Sequence, residues 1–179
     1  MIILPSNFEL DRYGLHVRFV REYDAEFIVK LRTDPQKGRY LHATKADVSA
    51  QESWIKEYRK RETEGKEFYF IFSKEGENVG VVRLYNIEDS KFTSGSWLAS
   101  SNAIGAGVLC DIISREIAFK LYPDSLNFFC ISKENTNVMR YALSYHPIQY
   151  DEDEKNLYFY TDRLHFEKYK QLYLRMARL

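Results

Sequence analysis

The sequence is short of the residues that mark several common chemistries. Its 179 residues include two cysteines, Cys110 and Cys130, and four histidines, with no metal-ligand spacing among them. Two isolated cysteines in apolar company point to reduced core thiols and a cytoplasmic protein, not to a disulfide framework. Net charge is also lacking, because 26 Lys+Arg balance 26 Asp+Glu. Such a chain offers no general field for nucleic acid or an anionic membrane, so any bound anion must be held by local geometry. No apolar run approaches the ~20 residues needed to cross a bilayer. The opening MIILPSNFELDR lacks the charged start and long apolar stretch of a signal peptide. With no repeat, low-complexity tract or linker, one domain over residues 1–179 is expected.

What is abundant is aromatic: 14 Tyr, 12 Phe and 2 Trp. Rings on this scale fill strands and core, or line a cleft for a sugar or nucleotide. Hydrophobic periodicity predicts a strand over Leu15–Val20 and a helix over Glu22–Arg32 with Tyr23, Phe27, Ile28 and Leu31 on one face. Pro35 ends that helix. Ser49-Ala-Gln-Glu52 reads as a capping box for a second helix, with Trp54, Ile55 and Tyr58 inward. Strands over Glu67–Ser73, Val79–Ile87 and Lys91–Ala99 follow with short turns, as an antiparallel meander. A helix over Gly105–Leu121 leads to a buried strand, Leu126–Ser132, joined by a parallel crossover. A short helix (Asn135–Tyr145), a hairpin (Ile148–Tyr150 with Leu157–Thr161) and a terminal helix (Leu164–Met176) complete the chain. Tyr169, Leu172, Tyr173 and Met176 mark the apolar face of that last helix. The order predicts an α+β fold with a mixed, largely antiparallel sheet.

The chain is organised around Gly95–Phe119, a strand, a turn with two glycines, and an amphipathic helix. In Asn102-Ala-Ile-Gly105-Ala-Gly107, two residues without Cβ atoms precede helical amides, a ready site for a phosphate or pyrophosphate.

The element order, the turn Asn102–Gly107 and Lys133-Glu-Asn135 together resemble the GNAT superfamily of acetyl-CoA-dependent N-acetyltransferases. The family's phosphate loop is Gln/Arg-x-x-Gly-x-Gly/Ala; Asn102 replaces the first residue, while Gly105 and Gly107 fit. The family's later Asn is Asn135, and His146-Pro147 replaces its Gly-Phe. Asp34-Pro35, Arg39-Tyr40-Leu41, Trp54-Ile55, Val79-Gly80, Arg83-Leu84 and Gly95-Ser96-Trp97 are similar to ribosomal-protein-type acetyltransferases. They are also similar to relatives acting on nucleotide-linked amino sugars.

The resemblance implies a twisted sheet whose central strands splay, with a bulge near Trp97 and Leu98 exposing backbone to the thioester. A backbone N–H there would stabilise the oxyanion of a tetrahedral intermediate formed by direct attack of the amine. Asn102, Ile104, Gly105, Ala106 and Gly107 would hold the pyrophosphate, and Asn135 the cofactor arm, unless Asn135 only caps its helix. Lys133 and Arg140 would reach the cofactor's phosphates, or remain solvated charge. His42 is the candidate base for the amine, against an ordinary surface histidine. Glu116, beside the apolar stripe, is open to a raised pKa, or to snorkelling to water or towards a neighbour such as Arg115. The leaving thiolate's acid is commonly a Tyr seven residues after the motif Asn. Here that position is Ala142, so Tyr141 is the candidate acid and Tyr145 is expected in the core.

The implied function is transfer of acetyl from acetyl-CoA to a primary amine on a small or nucleotide-linked amino sugar. Tyr40, Tyr85, Phe92 and Trp97 are candidates to stack on it. The implied co-substrate is acetyl-CoA, with no metal, nucleic acid or membrane, and a homodimer is left open. The alternatives are acetylation of a protein N-terminus, a catalytically silent acyl-CoA-binding module, and an α+β scaffold with no cofactor.

Overall fold

A computed structural model describes residues 3–41, 45–101 and 105–177. His42, Asn102 and Ile104 lie outside the described residues. Eight strands are described: β1 (Glu9–Arg12), β2 (Leu15–Phe19), β3 (Phe68–Lys74), β4 (Glu77–Glu88), β5 (Lys91–Ala99), β6 (Leu126–Ser132), β7 (Ile148–Glu152) and β8 (Asn156–Thr161). Five α-helices accompany them: α1 (Ala25–Thr33), α2 (Val48–Thr63), α3 (Ala106–Leu121), α4 (Thr136–Leu143) and α5 (Arg163–Ala177).

The strands form one sheet in the order β1-β2-β3-β4-β5-β6-β8-β7, antiparallel at every step but one. The parallel step joins β5 to β6 across the α3 crossover. β3 shows why its sequence reads as one continuous apolar run. Phe68, Phe70 and Phe72 enter the core shared with α3 and α5, whereas Tyr69 and Ile71 enter the core beneath α1 and α2. A third cluster packs α4 against β6 and β8 through Phe129, Ile131, Ala142 and Phe159. α3 is central, burying Cys110, Ile112, Ile113 and Ile117 together with Asp111, Ser114 and Arg115.

The structure corrects several local expectations. β1 is an addition: ELDR carries no apolar alternation, and Tyr13 (φ 52°) with Gly14 (φ 76°) makes the two-residue turn that pairs it with β2. Residues Glu22–Asp24 form a 3-10 turn before α1, so Tyr23 leaves the apolar face and is 73% exposed. α2 is capped not by Ser49 but by Asp47, whose carboxylate accepts from the Ala50 amide at 2.9 Å. Leu172, expected on the inner face of α5, is exposed, and Leu174 is buried instead. Cys130, expected in the core, is exposed on β6; only Cys110 is a core thiol. Among the described residues, no helix is long and apolar enough to cross a membrane.

Candidate active site

The parallel pairing of β5 with β6 lasts three residues: Lys91, Phe92 and Thr93 lie opposite Leu126, Asn127 and Phe128. No ladder pairs follow, and the strands diverge. At the fork the Asn127 amide donates to the Ser94 hydroxyl at 3.0 Å. On its other edge β5 carries an extra residue: Val81 faces Leu98 but Arg83 faces Gly95, and Ser96 has φ 48°. That bulge falls at Ser96-Trp97 and re-aims the β5 backbone where the gap opens.

The gap is a cleft of about 110 Å³. Its walls are Gly95, Ser96 and Trp97 of β5, Phe129 to Ser132 of β6, Asn135, Val138, Tyr141 and Ala142 on and beside α4, and Tyr40 and Leu41. Asp111 and Arg115 reach it from α3. α3 begins at one end of β5. Its N-cap is Gly105 (φ 78°, left-handed), which has no side chain to occupy the first-turn amides. A Cβ on Gly107 would lie 3.2 Å from the Ala99 Cβ, so strand and helix approach closely there. The Trp97 indole N–H locks the contact by donating to the Gly107 carbonyl at 2.9 Å.

The other sequence-predicted residues fall into two groups. Trp97, Asn135 and Tyr141 line the cleft. Asn135 also caps α4, accepting from the Val138 amide at 3.3 Å, so both of its readings hold in one place. Leu98 is not among the residues that line the cleft, and its buried side chain turns to the α1/α2 core. Ala106 is buried at the start of α3. Arg140 is exposed on α4, outside the cleft wall. Lys133 is paired with Glu152 at 3.0 Å. Of the stacking candidates, Phe92 is buried against Phe119 and cannot meet a ligand. Tyr85 packs beside Gly95, and Tyr40 lines the cleft.

Four side chains missed as a group are linked here, and three of them, Asp111, Arg115 and Tyr141, line the cleft while Tyr145 packs behind Tyr141. Arg115 Nε donates to Asp111 Oδ1 at 3.0 Å, and the Tyr141 hydroxyl donates to Asp111 Oδ2 at 2.9 Å. The Tyr141 and Tyr145 hydroxyls are 3.1 Å apart. The guanidinium lies 5.0 Å from the Phe129 ring centroid. Burial, reinforced by the Asp111 charge, pushes the Tyr141 hydroxyl well above its ordinary pKa. The Cys130 thiol, though exposed on β6, is also raised, by partial desolvation and then by the Asp153 charge, so it is no activated nucleophile. The i,i+4 spacings of Asp111 with Arg115 and Tyr141 with Tyr145 were visible in the sequence, but the meeting of the two helices was not.

Two expectations at the edges are corrected. Glu116 does not pair with Arg115: Arg12 and Lys170 each approach it to 2.9 Å. Burial alone would raise its pKa, yet hydrogen bonds from Arg12, Lys170 and Tyr13 outweigh burial and hold it below the ordinary value. His146 precedes Pro147, which pushes a preceding residue towards extended backbone, yet it takes φ 51° and its ring lies tilted beside Tyr169 at 4.8 Å between ring centroids. It thus keeps a positive φ where the family has Gly.

A family model described as "Acetyltransferase (GNAT) domain" matches residues 15–146. A search of curated protein sequences finds no match. Among solved structures, the chain is similar to apo FdhC, described as a nucleotide-linked sugar GNAT. The TM-score is 0.81 at 28% identity, covering 94% of this chain and 98% of that one. It is also similar to the ribosomal-protein-S5-alanine acetyltransferase of Vibrio fischeri (TM-score 0.73, 13% identity, 87% and 97% covered). Mycobacterium smegmatis RimJ, in complex with CoA-disulfide, gives a TM-score of 0.71 at 17% identity, with 92% and 90% covered. With diverging central strands, a bulged β5 and a family match over most of its length, the chain belongs to the GNAT acetyltransferases and is an acyl-CoA-dependent N-acetyltransferase.

Proposed function

We propose that this enzyme moves acetyl from acetyl-CoA to a primary amine on a nucleotide-linked amino sugar. The observation that carries this reading is the likeness to FdhC, at 28% identity over nearly the whole of both chains. The S5-alanine and RimJ likenesses, at 13% and 17%, speak only to fold. The site supports the donor half of the reading. The first-turn amides at Gly105, Ala106 and Gly107 suit a diphosphate, since no cap side chain occupies them. Asn102 and Ile104 join that assignment by sequence position. Asn135 faces the cleft to hold the pantetheine arm, and the exposed guanidinium of Arg140 is assigned to the cofactor's phosphates.

Acetyl-CoA supplies an acyl group activated as a thioester; this chain's residues orient it and manage protons. Backbone at Trp97 and Leu98, displaced by the bulge, is assigned to the acetyl carbonyl, where a fixed N–H is worth most as negative charge develops. Tyr141 is assigned to the departing sulfur. Its raised pKa keeps it protonated, whereas the CoA thiol titrates near the ~8.5 of cysteine. Full transfer to sulfur is therefore uphill, and the hydroxyl acts by donating a hydrogen bond once it turns from Asp111. His42, next in sequence after the cleft residues Tyr40 and Leu41, is assigned to the proton the amine loses.

A thiol-release assay with purified enzyme and acetyl-CoA tests the reading. Release is expected with nucleotide-linked amino sugars and not with the free amino sugar or with N-terminal alanine peptides. Release with the peptides alone would replace the sugar acceptor with a protein. Tight acetyl-CoA binding without release on any amine would make the chain a silent acyl-CoA-binding module.

A further inference from the structure

The two faces of the sheet are covered unequally. On one, β6 and β8 pack against α4, and the larger core holds α3 and α5. On the other, the core beneath α1 and α2 takes residues from β3, β4 and β5 and none from β6, β7 or β8. The uncovered part of that second face is aromatic. Strand alternation puts Phe128 on it, because Phe129 turns to α4. The ladders then align one row across five strands: Tyr85 faces Thr93, Thr93 faces Phe128, Phe128 faces Tyr160, and Tyr160 faces Ile148. The Phe128 ring centroid lies 5.3 Å from that of Tyr150 and 5.6 Å from that of Tyr160. None of these three rings is fully buried, and Ile148 beside them is exposed. A contiguous apolar patch of this kind marks a contact surface.

The next row towards the fork begins with Arg83 opposite Gly95 and resumes across the gap with Cys130, Tyr158 and Asp151. Gly95 and Cys130 both line the cleft, so the aromatic platform adjoins its mouth. Arg83 Nε donates to Glu67 Oε1 at 2.5 Å, and Arg61 Nε donates to Glu67 Oε2 at 2.7 Å. One buried carboxylate thus answers two guanidiniums and leaves a positive charge unbalanced. The Trp54 and Tyr85 ring centroids, 5.2 and 4.6 Å from the Arg83 guanidinium carbon, hold that cation in place.

We propose that this face is the acceptor's nucleotide site, with the nucleobase stacked on Phe128 and its tyrosine neighbours and the phosphates at Arg83. The inference rests on the reading that the acceptor is nucleotide-linked, and it names where the nucleotide lies. Every base has a π-face that aromatic rings receive. The bond to Glu67 uses Nε and leaves the terminal nitrogens of Arg83 as donors for a phosphate. Charge sets the direction: the other end of the Arg83 row is Asp151, followed by Glu152 and Asp153, which repels phosphates towards Arg83. Phe128 stands two strands over and two residues along from Arg83, roughly 12 Å between backbones by strand spacing and rise. The amino sugar, attached to the phosphates, then falls at the fork.

Calorimetric titration of the whole enzyme tests this with CoA at saturation, so that the diphosphate site at α3 is filled. The probes are UDP, GDP, CDP and dTDP, their nucleosides, and pyrophosphate. At least one nucleoside diphosphate is expected to bind about tenfold or more tighter than its nucleoside or pyrophosphate. Arg83→Gln leaves Glu67 paired with Arg61, and Phe128→Ala removes a ring that is not fully buried, so both should bind CoA normally. Each should weaken the nucleoside diphosphate about tenfold, the loss typical of one charged hydrogen bond or one stacked base. Arg83→Gln should leave nucleoside affinity unmoved, whereas Phe128→Ala should weaken nucleoside and diphosphate alike. Two variants on different strands keep the test decisive where one fails to fold. Nucleotide affinity unchanged in both would overturn the inference and leave the acceptor reading standing. A homodimer that Phe128→Ala dissociates in sedimentation would also overturn it, because a second copy would occupy this face. No nucleotide binding at all would remove the inference together with the reading beneath it.

Discussion

Replacing Asp111 by alanine removes one partner of a salt bridge whose side chains are only 4% (Asp111) and 5% (Arg115) exposed. The guanidinium then stays buried with no anion, and no described carboxylate other than Asp111 lines the cleft to compensate. Breaking a buried pair in this way costs about 3–5 kcal/mol. For a domain of 150–250 residues, each kcal/mol lowers the melting temperature by about 2–4 °C, so a fall of roughly 6–20 °C is expected. The double variant Asp111→Leu/Arg115→Met removes both charges and refills the volume. It should recover most of the loss, because the desolvation penalty of the native pair disappears with the pair. The assay is thermal and urea unfolding by circular dichroism at pH 7, read as a double-mutant cycle. A single-variant loss below about 1 kcal/mol would refute the reasoning, since that is the worth of an exposed pair. So would a double variant no more stable than the single one, which would mean that Tyr141 and Tyr145, not charge, depend on Asp111.

Gly105→Ala puts a Cβ on a residue with φ 78° and should cost about 1–2 kcal/mol while weakening acetyl-CoA binding, measured by unfolding and by titration. Of the two tryptophans, Trp97 lines the cleft and Trp54 stacks on Tyr58 beneath α2. Acetyl-CoA should therefore change the emission of Trp54→Phe and leave that of Trp97→Phe nearly flat in a fluorescence titration. Glu116 is held below its ordinary pKa of 4.5, so its contribution is complete above that pH and is lost as the pH falls below it. Urea unfolding should accordingly show Glu116→Gln less stable than the native chain at pH 7, with the gap closing towards pH 3.

Periodicity made the sheet legible where each strand repeats one kind of environment. The meander, the crossover helix and β6 all fall within about two residues of the bounds read from sequence, the usual uncertainty of element ends, although β6 buries only alternate residues instead of its whole length. What failed was governed by neighbours. β1 has no apolar alternation because it is an exposed edge strand, held through the Tyr13-Gly14 turn. Ser49-Ala-Gln-Glu52 fits a capping box on paper, yet Asp47 stands two residues earlier with a carboxylate that reaches Ala50. At His146, Pro147 favours an extended backbone. Against that, the His146 amide donates to the Leu143 carbonyl at 3.0 Å, closing the end of α4.

The site divides the same way. A glycine turn before a helix can be read from sequence because it concerns backbone; the floor of the cleft cannot, because it is made by two helices that meet only in space. Asp111 and Arg115 are one turn apart on α3, and Tyr141 on α4 stands four residues before Tyr145, just past that helix's end; either spacing alone describes any surface helix. Facing each other beneath the fork, they bury a charge pair and two hydroxyls and leave one nitrogen unsatisfied. This coupling also bears on the displaced tyrosine. Ala142 occupies the family's acid position with no hydroxyl to offer, while Tyr141 reaches the same cleft but delivers its hydrogen to Asp111. Any role for Tyr141 at sulfur thus draws on the same carboxylate that neutralises Arg115, so the charge balance at Arg115 and the freedom of the Tyr141 hydroxyl are linked through Asp111.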